Sequence, residues 1–124
     1  MGAEHILARR RAERDAMVER ARRFAQSLDA GLDVRAAVVV GSVARGDFNR
    51  WSDVDVVVVA AGFRETLLER LERLGPRPGR VEPVPWTPEE WDARLRRGDP
   101  MVAEALEGGI WMMGSPAALE GQPG

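Results

Sequence analysis

Residues 36–60 read Ala36-Ala37-Val38-Val39-Val40-Gly41-Ser42-Val43-Ala44-Arg45-Gly46-Asp47-Phe48-Asn49-Arg50-Trp51-Ser52-Asp53-Val54-Asp55-Val56-Val57-Val58-Val59-Ala60. Two short apolar runs rich in valine bracket a loop region of Gly, Asp, Asn and Ser. β-Branched runs of this length, bounded by turn residues, predict strands over 35–40 and 53–60. Both runs are apolar on alternate and successive positions, so both strands are expected to be central, with each face of the sheet covered.

Working outward, Met17, Ala21, Phe24 and Leu28 recur at helical spacing and predict a helix over about 4–29, ended by Asp29-Ala30-Gly31. Its first half is rich in Arg, offset by Glu4, Glu13, Asp15 and Glu19, and reads as a solvated face. Leu67, Leu68, Leu71 and Leu74 predict a helix over about 63–74, with Glu69 and Arg73 paired on its exposed side. Gly75-Pro76-Arg77-Pro78-Gly79 breaks the chain before a third strand at 80–84. Pro83 and Pro85 lack donors along the same side of that strand, which makes it an edge strand.

Thr87-Pro88-Glu89-Glu90 has the form of a capping box with Pro at the first helical position, opening a helix that carries Trp91 and Leu95. Asp99-Pro100 opens another short helix, closed by Gly108-Gly109, and a last strand is expected at 110–113. Residues 115–124 hold little that could be buried and are expected to be a loose tail. The sum is an α/β (α+β) chain: one domain over 1–114, a small mixed β-sheet with helices packed against it.

Composition narrows the chemistry. The chain has no Cys and no Lys, which excludes disulfides, thiolate zinc sites, Schiff bases and a P-loop lysine. Its single histidine, His5, excludes a multi-histidine metal site and reads as a surface side chain. Carboxylates, arginines and hydroxyls remain, a set suited to magnesium and phosphate. The net charge of −2 does not indicate nucleic-acid binding. No apolar run approaches the roughly 20 residues that span a bilayer, and Arg9, Arg10 and Arg11 interrupt any signal-peptide-like stretch. A soluble, cytoplasmic protein is expected.

The quoted stretch also carries the candidate site. Asp53 and Asp55 lie two apart at a strand entrance, on one face and about 6.6 Å apart, near enough to share a cation. Two like charges there resist burial unless a metal compensates them. Gly41-Ser42 ends the first strand and begins a short helical turn, whose free N–H groups suit a phosphate. Arg45, one turn on, could clamp the same phosphates, and Gly46 can end the turn in a left-handed conformation. Trp91 and Trp111 sit on core-like periodicities, whereas Trp51 and Trp86 are candidates to face a base or a partner.

Gly41-Ser42, ten residues, then Asp53-Val54-Asp55 resembles the signature of the DNA polymerase β nucleotidyltransferase superfamily, and GSVARGDFNRWSDVDVVV resembles its minimal nucleotidyltransferase (MNT) branch. The ending GDPMVAEALEGGIWMMG is similar to that branch's closing helix and strand. The resemblance implies a polymerase β palm-like fold and a transferase moving NMP, AMP from ATP or the equivalent group of another NTP. It implies Gly41, Ser42 and Arg45 at the nucleotide, and two Mg²⁺ ions held by Asp53, Asp55 and a third carboxylate. The matching position is Glu82, where the superfamily more often has Asp; read from the residues alone, it is either a site carboxylate or a plain surface Glu.

The resemblance further implies a helical HEPN-type partner, with this chain as the antitoxin that AMPylates it on tyrosine in a toxin–antitoxin system. The chain itself has no Tyr, and it is open to homo- or hetero-oligomers. Two alternatives stand beside it: nucleotidyl transfer to a small hydroxylated molecule, and a non-catalytic NTP-binding subunit.

Overall fold

The computed structural model describes residues 2–77 and 79–120. The chain runs α1 (Ala3–Gln26), a single 3-10 turn (Ala30–Leu32), β1 (Val34–Val40), α2 (Gly41–Arg45), β2 (Val54–Ala60), α3 (Leu67–Arg73), β3 (Val81–Trp86), α4 (Pro88–Arg96), α5 (Pro100–Gly108), β4 (Ile110–Met113) and α6 (Pro116–Leu119).

The four strands form one mixed sheet in the order β3-β2-β1-β4. β1 pairs antiparallel with β2 and β4, and β2 pairs parallel with β3. The two valine runs are therefore the central strands, and their alternation feeds two cores. Ala37, Val39, Val56 and Val58 pack with Met17, Ala21, Phe24 and Ala25 of α1 on one face. Ala36, Val38, Val40, Val57 and Val59 pack with Trp91, Val102, Ala105 and Leu119 of α4, α5 and α6 on the other. Every residue from Val56 to Ala60 is fully buried. A fully buried valine contributes about 1.5–3 kcal/mol, so these two strands hold much of the stability.

β3 lies at the sheet edge, as its prolines require. Trp86, Trp91 and Trp111 pack in sequence, the first pair tilted and the second edge to face, with centroids 6.2 and 6.0 Å apart. Trp86 is thus buried core, which removes it as a base-facing candidate. Trp111 donates its indole N–H to the Ala105 carbonyl at 3.1 Å.

Three local expectations need correction. α3 starts at Leu67 rather than near 63, because Thr66 and Glu69 form a reciprocal capping box. Glu69 is consumed in that cap, so Arg73 pairs instead with Glu65 at 2.9 Å, and Leu67 and Leu68 face outward. Within the expected tail, residues 116–119 form α6, capped by Ser115, and Leu119 is buried in the second core. The remaining tail residues 121–124 lie outside the described residues, as does Pro78. Among the described residues no helix is long and apolar enough to cross a membrane.

Candidate active site

β1 and β2 deliver the site. Val40 and Asp55 are direct register partners, so Gly41 follows β1 immediately beside the Asp55 carboxylate. Gly41 has φ +74°, and a Cβ on it would lie 2.5 Å from Asp55 Oδ2. Only glycine allows this approach without displacing the carboxylate. Gly46, at φ +90°, ends α2 in the left-handed conformation expected of it.

Across the parallel pair, Asp55 is in register with Glu82. Asp55 is half-buried at the mouth of the second core, while Asp53 and Glu82 are exposed. Burial pushes the Asp55 carboxyl above its ordinary value, and the charges of Asp53, Glu82 and Glu104 push it further, opposed by Arg45. Among the described residues no three acidic or histidine side chains form a ready-made metal cage. The donor set nonetheless suits a hard divalent cation: oxygen ligands only, converging on a carboxyl whose ionisation is hindered by its like-charged neighbours.

Ser42 is half-buried, and its hydroxyl makes no hydrogen bond among the described residues, so it is available to a ligand. Arg45 is engaged, bonding Asp47 through Nε at 3.2 Å and Glu104 through Nη1 at 3.0 Å. The Gly41 amide donates to the second oxygen of Glu104 at 3.1 Å. A recess of about 200 Å³ lies here, lined by Gly41, Ala44, Arg45, Glu104, Glu107 and Gly108. A larger one, about 550 Å³, lies outboard of β3, but none of Asp53, Asp55 or Glu82 lines it. Its cations are already paired, Arg70 with Glu90 and Arg94 with Asp99. None of those carboxylates lines the smaller recess either, but Gly41 and Arg45 do, and that ties it to the site.

The motif loop is pinned from behind by α1. Arg14 donates to the Val43 and Ala44 carbonyls at 3.0 and 2.7 Å. Arg10 donates to the Phe48 and Gly46 carbonyls at 2.8 and 3.0 Å and lies over the Phe48 ring. These two arginines were expected to belong to a solvated face; their i,i+4 spacing was the available signal that they act together. Trp51 is 66% exposed in the same loop, with the Arg80 guanidinium 5.3 Å from its ring and bonded to its carbonyl at 2.8 Å. Glu104 is the residue that sequence reasoning missed altogether.

A glycine–serine turn beside paired aspartates on adjacent central strands is matched by the family model for the nucleotidyltransferase domain, over residues 18–94. The chain belongs to the nucleotidyltransferase domain family. Nucleotidyl transfer is the chemistry that this membership supports, with an NTP as substrate. The fold agrees with a crystal structure from Sulfolobus solfataricus, of a protein assigned as a nucleotidyltransferase. That match has a TM-score of 0.60 at 17% identity and covers 82% of this chain and 84% of the other. No curated protein matches the chain. Within the family domain, α1 enters from Val18 onward, so Arg10 and Arg14 lie just before the matched segment.

Proposed function

We propose that this nucleotidyltransferase moves AMP from ATP, with Mg²⁺, to a hydroxyl on a partner protein, as the antitoxin member of a HEPN/MNT pair. The observation that carries the transfer is the contact of Gly41 with Asp55, which joins a phosphate-binding backbone to the carboxylate pair at one sheet end.

The Gly41 amide and Ser42 hydroxyl donate to the phosphate oxygens, and Arg45 neutralises part of their charge once freed from Glu104. Asp53, Asp55 and Glu82 would hold Mg²⁺, which when bound lowers the pKa of the acceptor hydroxyl and stabilises charge on the departing pyrophosphate. Val54 anchors the carboxylate pair by its own complete burial, fixing which face Asp53 and Asp55 present. The acceptor oxygen bonds to the α-phosphorus in line with the leaving pyrophosphate, and its proton passes to solvent or to a nearby carboxylate.

Two features favour a protein acceptor. The recess of about 200 Å³, below the roughly 300–1,000 Å³ typical of small-molecule pockets, is lined by Gly41 and Arg45 but by neither Asp53 nor Asp55, so it offers a small acceptor no seat at the carboxylates. Trp51 stands exposed in the motif loop, two residues before Asp53, where a docking chain would cover it. With no Tyr among the 124 residues, a tyrosine acceptor would lie outside them.

The test is transfer of label from α-labelled ATP, with Mg²⁺, to a co-expressed helical partner. Label on the partner, lost in Asp53→Asn and Asp55→Asn, is the expected result. Label found only on a small molecule, or on nothing, would overturn the proposed acceptor.

A further inference from the structure

Glu104 sits on α5, 63 residues beyond Gly41, yet its carboxylate reaches two of the three donors assigned above to the phosphates. Oε2 accepts from the Gly41 amide at 3.1 Å, and Oε1 accepts from Arg45 Nη1 at 3.0 Å. A buried backbone amide and a guanidinium, converging on one carboxylate, are bound as they would be by two oxygens of a phosphate. Glu107 lines the same recess but bonds neither group.

We infer that Glu104 is an internal anion held in the phosphate position, which the polyphosphate of an incoming nucleotide must displace. The inference rests on the assignment of Gly41 and Arg45 to the phosphates. A carboxylate offers two acceptor atoms and a single charge. A polyphosphate matches both acceptors and brings more charge, so it can win the exchange. The Glu104 side chain is 39% exposed, and can turn out to water at little cost once its partners are taken. Its departure also removes one of the charges crowding Asp55. The contact keeps the Gly41 amide satisfied and Arg45 parked beside the site.

Binding of inorganic tripolyphosphate by calorimetry, in chelator, tests this without requiring catalysis. Glu104→Gln keeps an acceptor for the Gly41 amide but loses one of the two charges that hold Arg45, Asp47 keeping the other, and should bind roughly threefold to tenfold tighter than wild type. Glu104→Ala should also bind tighter despite a lower Tm; should it fail to fold, the Gln variant decides. Glu107→Gln removes an equal charge from the same recess and should change affinity less than twofold. No gain in Glu104→Gln, an equal gain in Glu107→Gln, or no binding by any of the proteins would overturn the inference. Label transfer from ATP, run in parallel, separates the two levels. Tripolyphosphate binding that tightens as expected, without nucleotidyl transfer to any acceptor, defeats the proposed activity and leaves the role of Glu104 standing.

Discussion

The backbone of Gly41 runs so close to Asp55 that a Cβ added to the glycine would lie 2.5 Å from the carboxylate's Oδ2. The proposed phosphate cradle and the carboxylate pair are thus mechanically one object. Gly41→Ala should cost about 1–3 kcal/mol through its positive φ, and should reduce label transfer by at least about 100-fold because Asp55 is pushed aside. Gly46→Ala is the internal control: its φ is also positive, but nothing lies within 4 Å of the added Cβ. It should show the strain cost alone, with transfer reduced less than about tenfold. Equal losses in the two variants would argue against a special role for the Gly41–Asp55 contact.

Asp55 links function and stability with opposite signs. Burial and like charges raise its folded-state pKa above the ordinary value. Folding therefore favours the protonated form: this contribution is fully present below the unfolded aspartate pKa and is lost as pH rises through the higher folded value. In chelator at pH 7, Asp55→Asn should melt at a higher temperature than wild type. The difference should shrink on acidification and vanish below the unfolded value. The same variant should lose transfer. Thermal melts against pH check the sign, and an Asn variant less stable at neutral pH would refute it. Adding Mg²⁺ should raise the wild-type Tm and leave that of Asp55→Asn nearly unchanged, since a cation that binds only the folded state stabilises it.

Much of this was legible in residues 36–60, because a short valine run has few ways to satisfy itself other than as a strand covered on both sides. Pro83 and Pro85 marked the sheet edge for an equally local reason. The start of α3 could have been read too: Thr66-x-x-Glu69 has the same capping form as Thr87-x-x-Glu90. Ser115-Pro116 likewise announces α6. Glu104 was not legible by any local rule. Its contact with Gly41 spans 63 residues and exists only because α5 packs against β1 and beside α2. Nor could spacing alone show that Asp55 and Glu82 are neighbours, which depends on the parallel register of β2 and β3.

Arg14 offers a test of how the loop is held. Its guanidinium accounts for two carbonyls at the end of α2, in a part-buried setting. Arg14→Ala should destabilise the protein by about 1–3 kcal/mol and lower kcat more than it raises KM for ATP, because the loop's aim rather than its donors is lost. Arg14→Lys, which cannot fork to both carbonyls, should recover stability better than kcat. A variant with unchanged kcat and reduced Tm would assign Arg14 to stability alone.

Glu82 provides the sharpest discrimination at the site, since its register with Asp55 is compatible with a shared cation while its exposure is compatible with a plain surface residue. As a metal ligand it is worth far more than a surface charge: Glu82→Ala should lower label transfer by at least about 100-fold and weaken the Mg²⁺-dependent rise in Tm. Glu82→Asp should restore much of both, because β3 places its Cα directly opposite Asp55 and the shorter side chain still projects from the same position. A surface residue behaves differently, and an alanine variant within about 0.5 kcal/mol of wild type, with transfer intact, would leave Asp53 and Asp55 as the metal pair and strike Glu82 from the site.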